Sequence, residues 1–456
     1  MIINNDKILK IFVNPVENTN VARVRYVFDF IENHPLNEGR VSFSLDDLVG
    51  ADKILHYGKE EGMDLYMPAQ ALLFAEDPIQ NTDLKAVPFY WNELILYNVG
   101  RSDVTSGPFF NGQIFAFDLI ETIFFHISRY EEYYAAQNSL NEHGMLDGKM
   151  LFLPIHSLEK IPVVDHLVFA FLHCLGVKFD PRKTDYILSH DIDKIHKYNS
   201  VYEGLKSIAW PLIFKGDLLW SGRNLLAWLR KSFGNAKDPY DSYDFLFRKS
   251  TFWIRKEVYF MAGGNTRFDL YDPNYLRKCK GIINRALEKG YLIGLHPSYE
   301  TAGNLQMMKR EKFYLEKISG VSVNYTRQHY LHFLPGKTDR YIDNCGSVTD
   351  SSLGYNRFIG FRCGTGFAYK LYDFVLERRL DFLEQPLIVM DSALIHETGD
   401  NLKEFKKVLL EFIRDNRNYT QLSFNFHNST FDPTIFRRRK LKAIYEEMEK
   451  SLEEIG

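Results

Sequence analysis

The chain has 456 residues, 45% of them apolar and 25% charged, with a formal charge of −3. That length exceeds one ordinary core, so two domains are expected. A near-neutral balance with no basic stripe argues against nucleic acid as a partner, and a 15% aromatic share argues against extended disorder. Cys174, Cys279, Cys345 and Cys363 lack CxxC or finger spacing and read as buried thiols rather than disulfides or ligands. The first residues carry no basic region leading into an apolar stretch and cleavage site. No window reaches the roughly 18 uninterrupted apolar residues of a membrane span. The expected location is cytoplasmic.

Residues 1–181 are expected to form an accessory α/β domain, in which strand-like pieces such as 8–13 alternate with aromatic helical ones. The clearest predicted helix covers 117–134, where Ile120, Ile123, Phe124, Ile127 and Tyr130 recur at three- and four-residue spacing. Arg129, Glu131 and Glu132 follow that buried stripe as a charged surface. Residues 178–182 are the predicted join. From 182 to 456 strands and helices alternate, which implies parallel strands with helices outside.

An insertion at about 199–244 breaks that rhythm and carries Trp210, Trp220 and Trp228, three of the five tryptophans. Lys215, Asp217, Arg223 and Arg230 interrupt it, so it cannot span a bilayer. A helical pair packed on the body is the plain expectation. Peripheral contact with a membrane surface and a sugar groove are the functional alternatives. Further predicted helices cover 276–287, closed at Gly290 by a left-handed cap, and 305–318, ended by Gly320. Leu402, Phe405, Val408, Leu409 and Phe412 mark another, and 437–454 reads as a charged terminal helix.

Four apolar runs in this second half each end on an acid or an imidazole. Tyr186-Ile187-Leu188 leads into Ser189-His190-Asp191-Ile192-Asp193, and Tyr291-Leu292-Ile293-Gly294-Leu295 ends on His296. Leu387-Ile388-Val389-Met390 ends on Asp391, and Leu422-Ser423-Phe424-Asn425-Phe426 on His427. Such runs predict buried parallel strands. Polar groups at the downstream ends of several strands are how barrel enzymes assemble a site.

Asp191 and Asp193 flank one residue and leave the strand on the same side. Two carboxylates so close resist joint ionisation unless a cation is present. A divalent metal would take one as a ligand and leave the other as a base, although such a pair also suits the capping of a helix. His296 tips that balance, because a carboxylate and an imidazole on neighbouring strand ends suit zinc. Such a metal lowers the pKa of water to about 7 and polarises a carbonyl. His427 would face it as an acid.

Residues 184 to about 432 resemble the polysaccharide deacetylase (NodB-homology) family, carbohydrate esterase family four. Ser189-His190-Asp191-Ile192-Asp193 resembles its first motif, which implies Asp191 as base and Asp193 as metal ligand. Gly294-Leu295-His296-Pro297-Ser298-Tyr299-Glu300 resembles in part the second, His-Ser/Thr-x-x-His, with His296 as a ligand. Arg327-Gln328-His329-Tyr330 keeps the spacing of the third, with Arg327 orienting the base. Phe424-Asn425-Phe426-His427 resembles the late strand that closes on a catalytic histidine. The N-terminal half, including Ser128-Arg129-Tyr130-Glu131-Glu132-Tyr133, is similar to a domain that precedes this barrel in some bacterial members.

Glu300 stands where the family has its second metal histidine. Either Glu300 ligates through oxygen, or His329 moves in from the next strand, or the metal site is lost; His329 is favoured over Glu300. Gly360-Phe361-Arg362-Cys363-Gly364-Thr365-Gly366 offers a guanidinium that would position the base or bind a substrate anion, against the plain alternative of a surface turn. Asp391 would orient Arg362 or a histidine.

The resemblance implies a distorted (β/α) barrel that removes acetyl groups from N- or O-acetylated sugars of a bacterial polysaccharide, acting on a polysaccharide or oligosaccharide. It implies a divalent metal, zinc first and cobalt, nickel or manganese after it. The rival expectation is a catalytically inactive glycan-binding barrel. A glycoside hydrolase ranks last, because its two acids stand about 5–9 Å apart across a sugar and Asp191 and Asp193 are too close.

Overall fold

The computed structural model describes the chain except for residues 1–7, 17–18, 59–63, 71–83, 101–105, 180–183, 235, 249–251, 270–271, 273, 400, 436–437 and 456. Of the expected join only Lys178 and Phe179 are among the described residues. The N-terminal part builds two small sheets. Strands β1 (Leu9–Pro15), β2 (Val41–Ser44), β3 (Lys53–Tyr57) and β4 (Leu65–Met67) pair in parallel in the order β2-β1-β3-β4. Strands β5 (Lys85–Trp91), β6 (Leu94–Gly100) and β7 (Gly107–Pro108) follow in the order β6-β5-β7, the first two as an antiparallel hairpin.

The second half is organised on one nine-stranded sheet. Its strands are β8 (Asp185–Ile192), β9 (Arg255–Met261), β10 (Leu292–His296), β11 (Tyr325–Thr326) and β12 (Thr349–Asp350), then β13 (Tyr369–Asp373), β14 (Arg378–Glu384), β15 (Val389–Met390) and β16 (Gln421–Asn425). They lie in the order β13-β14-β12-β11-β10-β9-β8-β16-β15, parallel throughout except at β13–β14. A lone parallel bridge joins Gly354, beyond β12, to Leu387, before β15. The architecture is mixed α/β with a large central sheet. Strands β8 and β16 are buried on nearly every residue because both faces are covered, which is why they read as apolar runs rather than alternating ones.

The amphipathic stripes predicted from spacing form helices at Tyr275–Glu288, Leu305–Ser319 and Leu402–Asp415. Gly290 and Gly320 take φ of 76° and 78° just beyond the first two, a conformation that favours glycine. The terminal helix is Leu441–Ile455, and residue 437 lies outside the described residues. The insertion is a helical pair, Val201–Lys215 and Leu218–Ser232. All four thiols are free, with Cys174 partly exposed and the other three buried.

Two expectations about the N-terminal half are corrected. The predicted helix over 117–134 is two helices, Leu119–Ile127 and Tyr130–Tyr133, broken where Arg129 takes a left-handed φ of 60°. Arg129, Glu131 and Glu132 are not a charged surface, for all three are buried. The break turns the Arg129 guanidinium inward, so that Nε donates to Glu132 Oε1 at 2.8 Å and Nη1 to Arg362 O at 2.6 Å. Glu131 accepts the Phe152 amide at 2.7 Å.

Arg362 belongs to the same cluster. It donates to Glu132 Oε2 at 2.6 Å and to Gly354 O at 2.8 Å, so it is neither a partner of the base carboxylate nor a residue of a surface turn. The two guanidiniums share the buried Glu132 carboxylate, with Glu131 Oε1 a further 3.8 Å from Arg129 Nη2, and tie the N-terminal part to the loop before β13. Burial alone would raise the Glu132 pKa, but Arg129 and Arg362 bring it down to about 2. The apolar core is continuous across this boundary. Tyr26, Phe124 and Phe169 share a cluster with Phe333, Phe367 and Phe374, and Tyr26 donates to Lys370 O at 2.7 Å.

Candidate metal centre

The parallel strands β8, β9, β10 and β16 deliver their downstream ends to one side of the sheet, and a pocket of about 660 Å³ opens there. Asp191, Asp193, Asp269, His296, His329 and His427 all line it, with Tyr330 and Arg357 at its margin. Strand alternation decides which side chains arrive. His190, between Ser189 and Asp191, points to the opposite face and packs against Phe247 and Tyr291.

Asp193, His296 and His329 bring one ligating atom each to within 4.8 Å of one another. The histidine tautomers are set from behind. His296 Nδ1 faces Arg327 O and His329 Nδ1 faces Asp269 Oδ1 at 3.2 Å, so each Nδ1–H would have an acceptor and Nε2 is the nitrogen left to ligate. Asp269 is itself held by the Tyr299 amide at 2.8 Å and the Thr266 hydroxyl at 2.7 Å. Asp193 Oδ1 lies 3.4 Å from His296 Nε2, yet it is buried without a hydrogen-bond partner. Two acceptors facing each other across that gap fit a cation between them. One oxygen and two imidazole nitrogens, with room left in the pocket, fit a divalent-metal site with open positions rather than a closed structural one.

Charge at the cluster agrees with that fit. Burial alone would raise the Asp193 pKa, but His296, His427 and His329 hold it well below the usual carboxylate range. Burial alone would lower that of His296, and Asp191 and Asp193 raise it instead. A proton and a metal ion therefore compete for the same nitrogen.

Asp191 is placed beside the cluster rather than in it. Arg327 Nη1 donates to its Oδ1 at 2.9 Å and Asn425 Nδ2 to its Oδ2 at 2.7 Å. Burial works against ionisation, but Arg327, then His296 and His427, hold its pKa low. Arg327 is fully buried, fixed by Ser189 Oγ, Ser351 O and Ser351 Oγ at 2.9–3.1 Å. Its guanidinium lies 4.3 Å from the Tyr259 ring centre. That ring can lie flat because β10 carries Gly294 beneath it; a Cβ there would meet Tyr259 at 2.5 Å.

His427 closes the pocket from β16. Asp391 accepts from its amide at 2.7 Å and its Nδ1 at 2.6 Å, while Nε2 sits 3.8 Å from both Asp191 Oδ2 and Asp193 Oδ2. Burial would lower its pKa; Asp391, then Asp193 and Asp191, push it up to about 10. These carboxylates favour the protonated ring, with Nε2 facing the pocket. Tyr330 and Leu331, directly after His329, take φ of 62° and 51°. Two successive non-glycine residues in that region store strain of the kind that gathers at sites.

Of the expected residues, the geometry brings together Asp191, Asp193, His296, Arg327, His329, Asp391 and His427. It leaves out two. Glu300 is exposed in the short turn Tyr299–Gly303 that follows the end of β10 at His296, and it is not part of the cluster. Arg362 is spent on Glu132. Sequence reasoning missed Asn425 and Asp269. Asn425 stands two residues before His427, so strand alternation would have placed it on the same face. Asp269 sits in an irregular loop after β9 and gives no periodic signal.

A family of unknown function, DUF7033, matches residues 13–180. No curated protein matches the chain. A Mycobacterium smegmatis protein assigned as a polysaccharide deacetylase is 14% identical with a TM-score of 0.33, over 61% of this chain and 92% of that one. A CE4 family pseudoenzyme from Bacillus anthracis is 6% identical with a TM-score of 0.28, over 61% and 66%. A GH57 branching enzyme from Thermococcus kodakaraensis, crystallised with glucose, is 10% identical with a TM-score of 0.29, over 59% and 68%. None of these likenesses is close enough to transfer a function. The donor set Asp193, His296 and His329, the pocket before it and the flanking carboxylate and imidazole support a metal-dependent hydrolase.

Proposed function

We propose that this chain removes acetyl groups from N- or O-acetylated sugars of a polysaccharide, with its active centre at the downstream end of a sheet read as an opened, distorted (β/α) barrel. The observation that carries the reading is Asp193 Oδ1, buried, without a well-formed hydrogen bond, and in a carboxylate that lies within 4.8 Å of a nitrogen of each of two imidazoles. Asp193, His296 and His329 would hold the ion, zinc first given two nitrogens and one oxygen, with cobalt, nickel or manganese next. A divalent cation supplies Lewis-acid polarisation of a carbonyl and acidifies water to a pKa of about 7.

The chain's own groups supply the rest. Asp191, kept anionic and oriented by Arg327 and Asn425, takes the proton of the attacking water. His427 enters as an imidazolium and gives its Nε2 proton to the leaving nitrogen or oxygen, while Asp391 holds the ring and compensates its charge. Arg327 positions Asp191 and does not itself reach substrate. The pocket is wide enough for a sugar, and Tyr330 at its margin offers an apolar face.

A glycan-binding module without turnover is the second reading. It is favoured by one feature: both oxygens of Asp191 are already engaged, which weakens it as a base. Acetate release from acetylated oligosaccharides separates the two. The metal-loaded protein should release acetate, and His427→Gln should keep the ion while losing about 10²–10⁴-fold in rate. Saccharide binding with no acetate release by the metal-loaded wild type would leave the binding module.

A further inference from the structure

The helical pair Val201–Lys215 and Leu218–Ser232 is built inside out. Its inner seam is small and polar. Ser221 Oγ donates to Ile208 O at 2.6 Å, Asn224 Nδ2 to Ser207 O at 2.7 Å, and a Cβ at Gly204 would meet Trp228 at 2.5 Å. Gly204, Pro211, Ser221 and Asn224 are the buried residues of the two helices. The large apolar side chains face outward instead. Thirteen of the 29 large apolar side chains exposed among the described residues fall within 201–233, including Ile213 at 70%, Phe214 at 68%, Leu218 at 71% and Leu219 at 75%. A face of that extent marks an interaction surface.

Its charge chooses the occupant. Five basic residues stand against two acids in this segment, a formal +3 within a chain of −3. Asp217 is already spent as a helix cap on the Trp220 amide at 2.7 Å. Lys206, Lys215 and Arg230 are exposed among the apolar side chains. Lys215 Nζ lies 5.8 Å from the Trp210 ring centre and Trp210 packs edge-on to Trp220 at 5.7 Å. Long cations rising from an apolar face with indoles among them suit the boundary between acyl chains and headgroups. A second copy seated on the same face would bring two segments of formal charge +3 together, with basic residues outnumbering acids on both sides. No helix among the described residues is long and apolar enough to cross a membrane, so the pair would lie on the surface.

We infer that this helical pair docks the protein on an anionic lipid surface. The pair is braced to the body near the candidate centre. Lys197, four residues past Asp193, donates to Asn224 Oδ1 at 2.7 Å and Asp432 Oδ2 at 2.6 Å, and Arg223 donates to Thr434 O at 2.9 Å. Docking would therefore fix the centre relative to the membrane, and the inference stands whether or not the centre is catalytic.

The test is co-sedimentation of the full chain with vesicles of phosphatidylcholine alone and of phosphatidylcholine mixed with phosphatidylglycerol. Partitioning should be on the order of a hundredfold stronger to the anionic vesicles, from three surface cations, and should fall in high salt. Phe214→Asp with Leu219→Asp should abolish it while leaving metal content and melting temperature unchanged, since both side chains are exposed. Equal partitioning of that variant, or no preference for anionic vesicles, would overturn the inference. So would a stable dimer in solution that the same variant makes monomeric, because a second copy would then hold the face.

Discussion

Two sets of buried charges in this molecule look alike in sequence and differ in space. Arg129, Glu132 and Arg362 form a closed cluster in which the carboxylate meets two guanidiniums and the guanidiniums meet carbonyls. Asp193, His296 and His329 form an open one, with a buried oxygen left without a partner and a pocket in front of it. Both sit beside glycine-rich or aromatic stretches that invite a catalytic reading. What separates them is unspent bonding capacity aimed at solvent. A matched buried cluster holds a fold together, whereas an unmatched one waits for a ligand.

The contrast can be broken most forcefully at its closed end. Glu132→Ala would leave Arg362 buried without a carboxylate and Arg129 with only the Glu131 carboxylate at 3.8 Å, which costs about 3–5 kcal/mol. Thermal or denaturant unfolding should show that loss, while the folded fraction still takes up metal. The pH dependence has a defined sign. With a folded pKa of about 2 against an ordinary 4.5, the stabilisation by Glu132 is present above pH 4.5 and drains away as pH falls toward 2. A variant as stable as the wild type would mean that the cluster contributes nothing.

At the open end, Asp391→Asn removes the charge that holds the His427 proton. The acid must be protonated to act, so activity falls as pH rises through its pKa. Losing Asp391 lowers that pKa, and the alkaline limb of kcat/KM should move to lower pH with a loss of about a hundredfold at neutral pH. A limb that does not move would remove His427 from the acid role.

The smallest effect belongs to Asp269→Asn. The side chain still reaches His329 but no longer as a carboxylate, and metal affinity should fall by about 10–100-fold. Competitive titration with a chelating dye reads that change, and unchanged affinity would argue that Asp269 serves only the loop it caps.

Much of the site was legible because strands carry a period of two. Asp191 and Asp193 emerge on one face, His190 on the other, and His296 and His427 end their own strands. The third ligand was expected from His329 ahead of Glu300, and the turn Tyr299–Gly303, which leaves Glu300 exposed, shows why a spacing argument alone could not decide it. The closed cluster was not legible. Glu131 and Glu132 follow an amphipathic stripe and look like its wet side, yet a left-handed residue at Arg129 breaks the helix and reverses which way they point. Spacing carries no information across such a break. The helical pair at 201–232 was expected as a packed element, but its outward apolar face depends on Gly204, Ser221 and Asn224 filling the seam, which residue spacing does not encode.

The most direct test is metal stoichiometry by titration calorimetry, with elemental analysis of the product, on the wild type and on Asp193→Ala. The wild type should bind one zinc equivalent per chain, displaced by acid as His296 takes up a proton. Asp193→Ala should bind none tightly and keep its melting temperature. Tight one-to-one zinc binding by Asp193→Ala, or none by the wild type, would contradict the assignment of the open cluster as a metal centre.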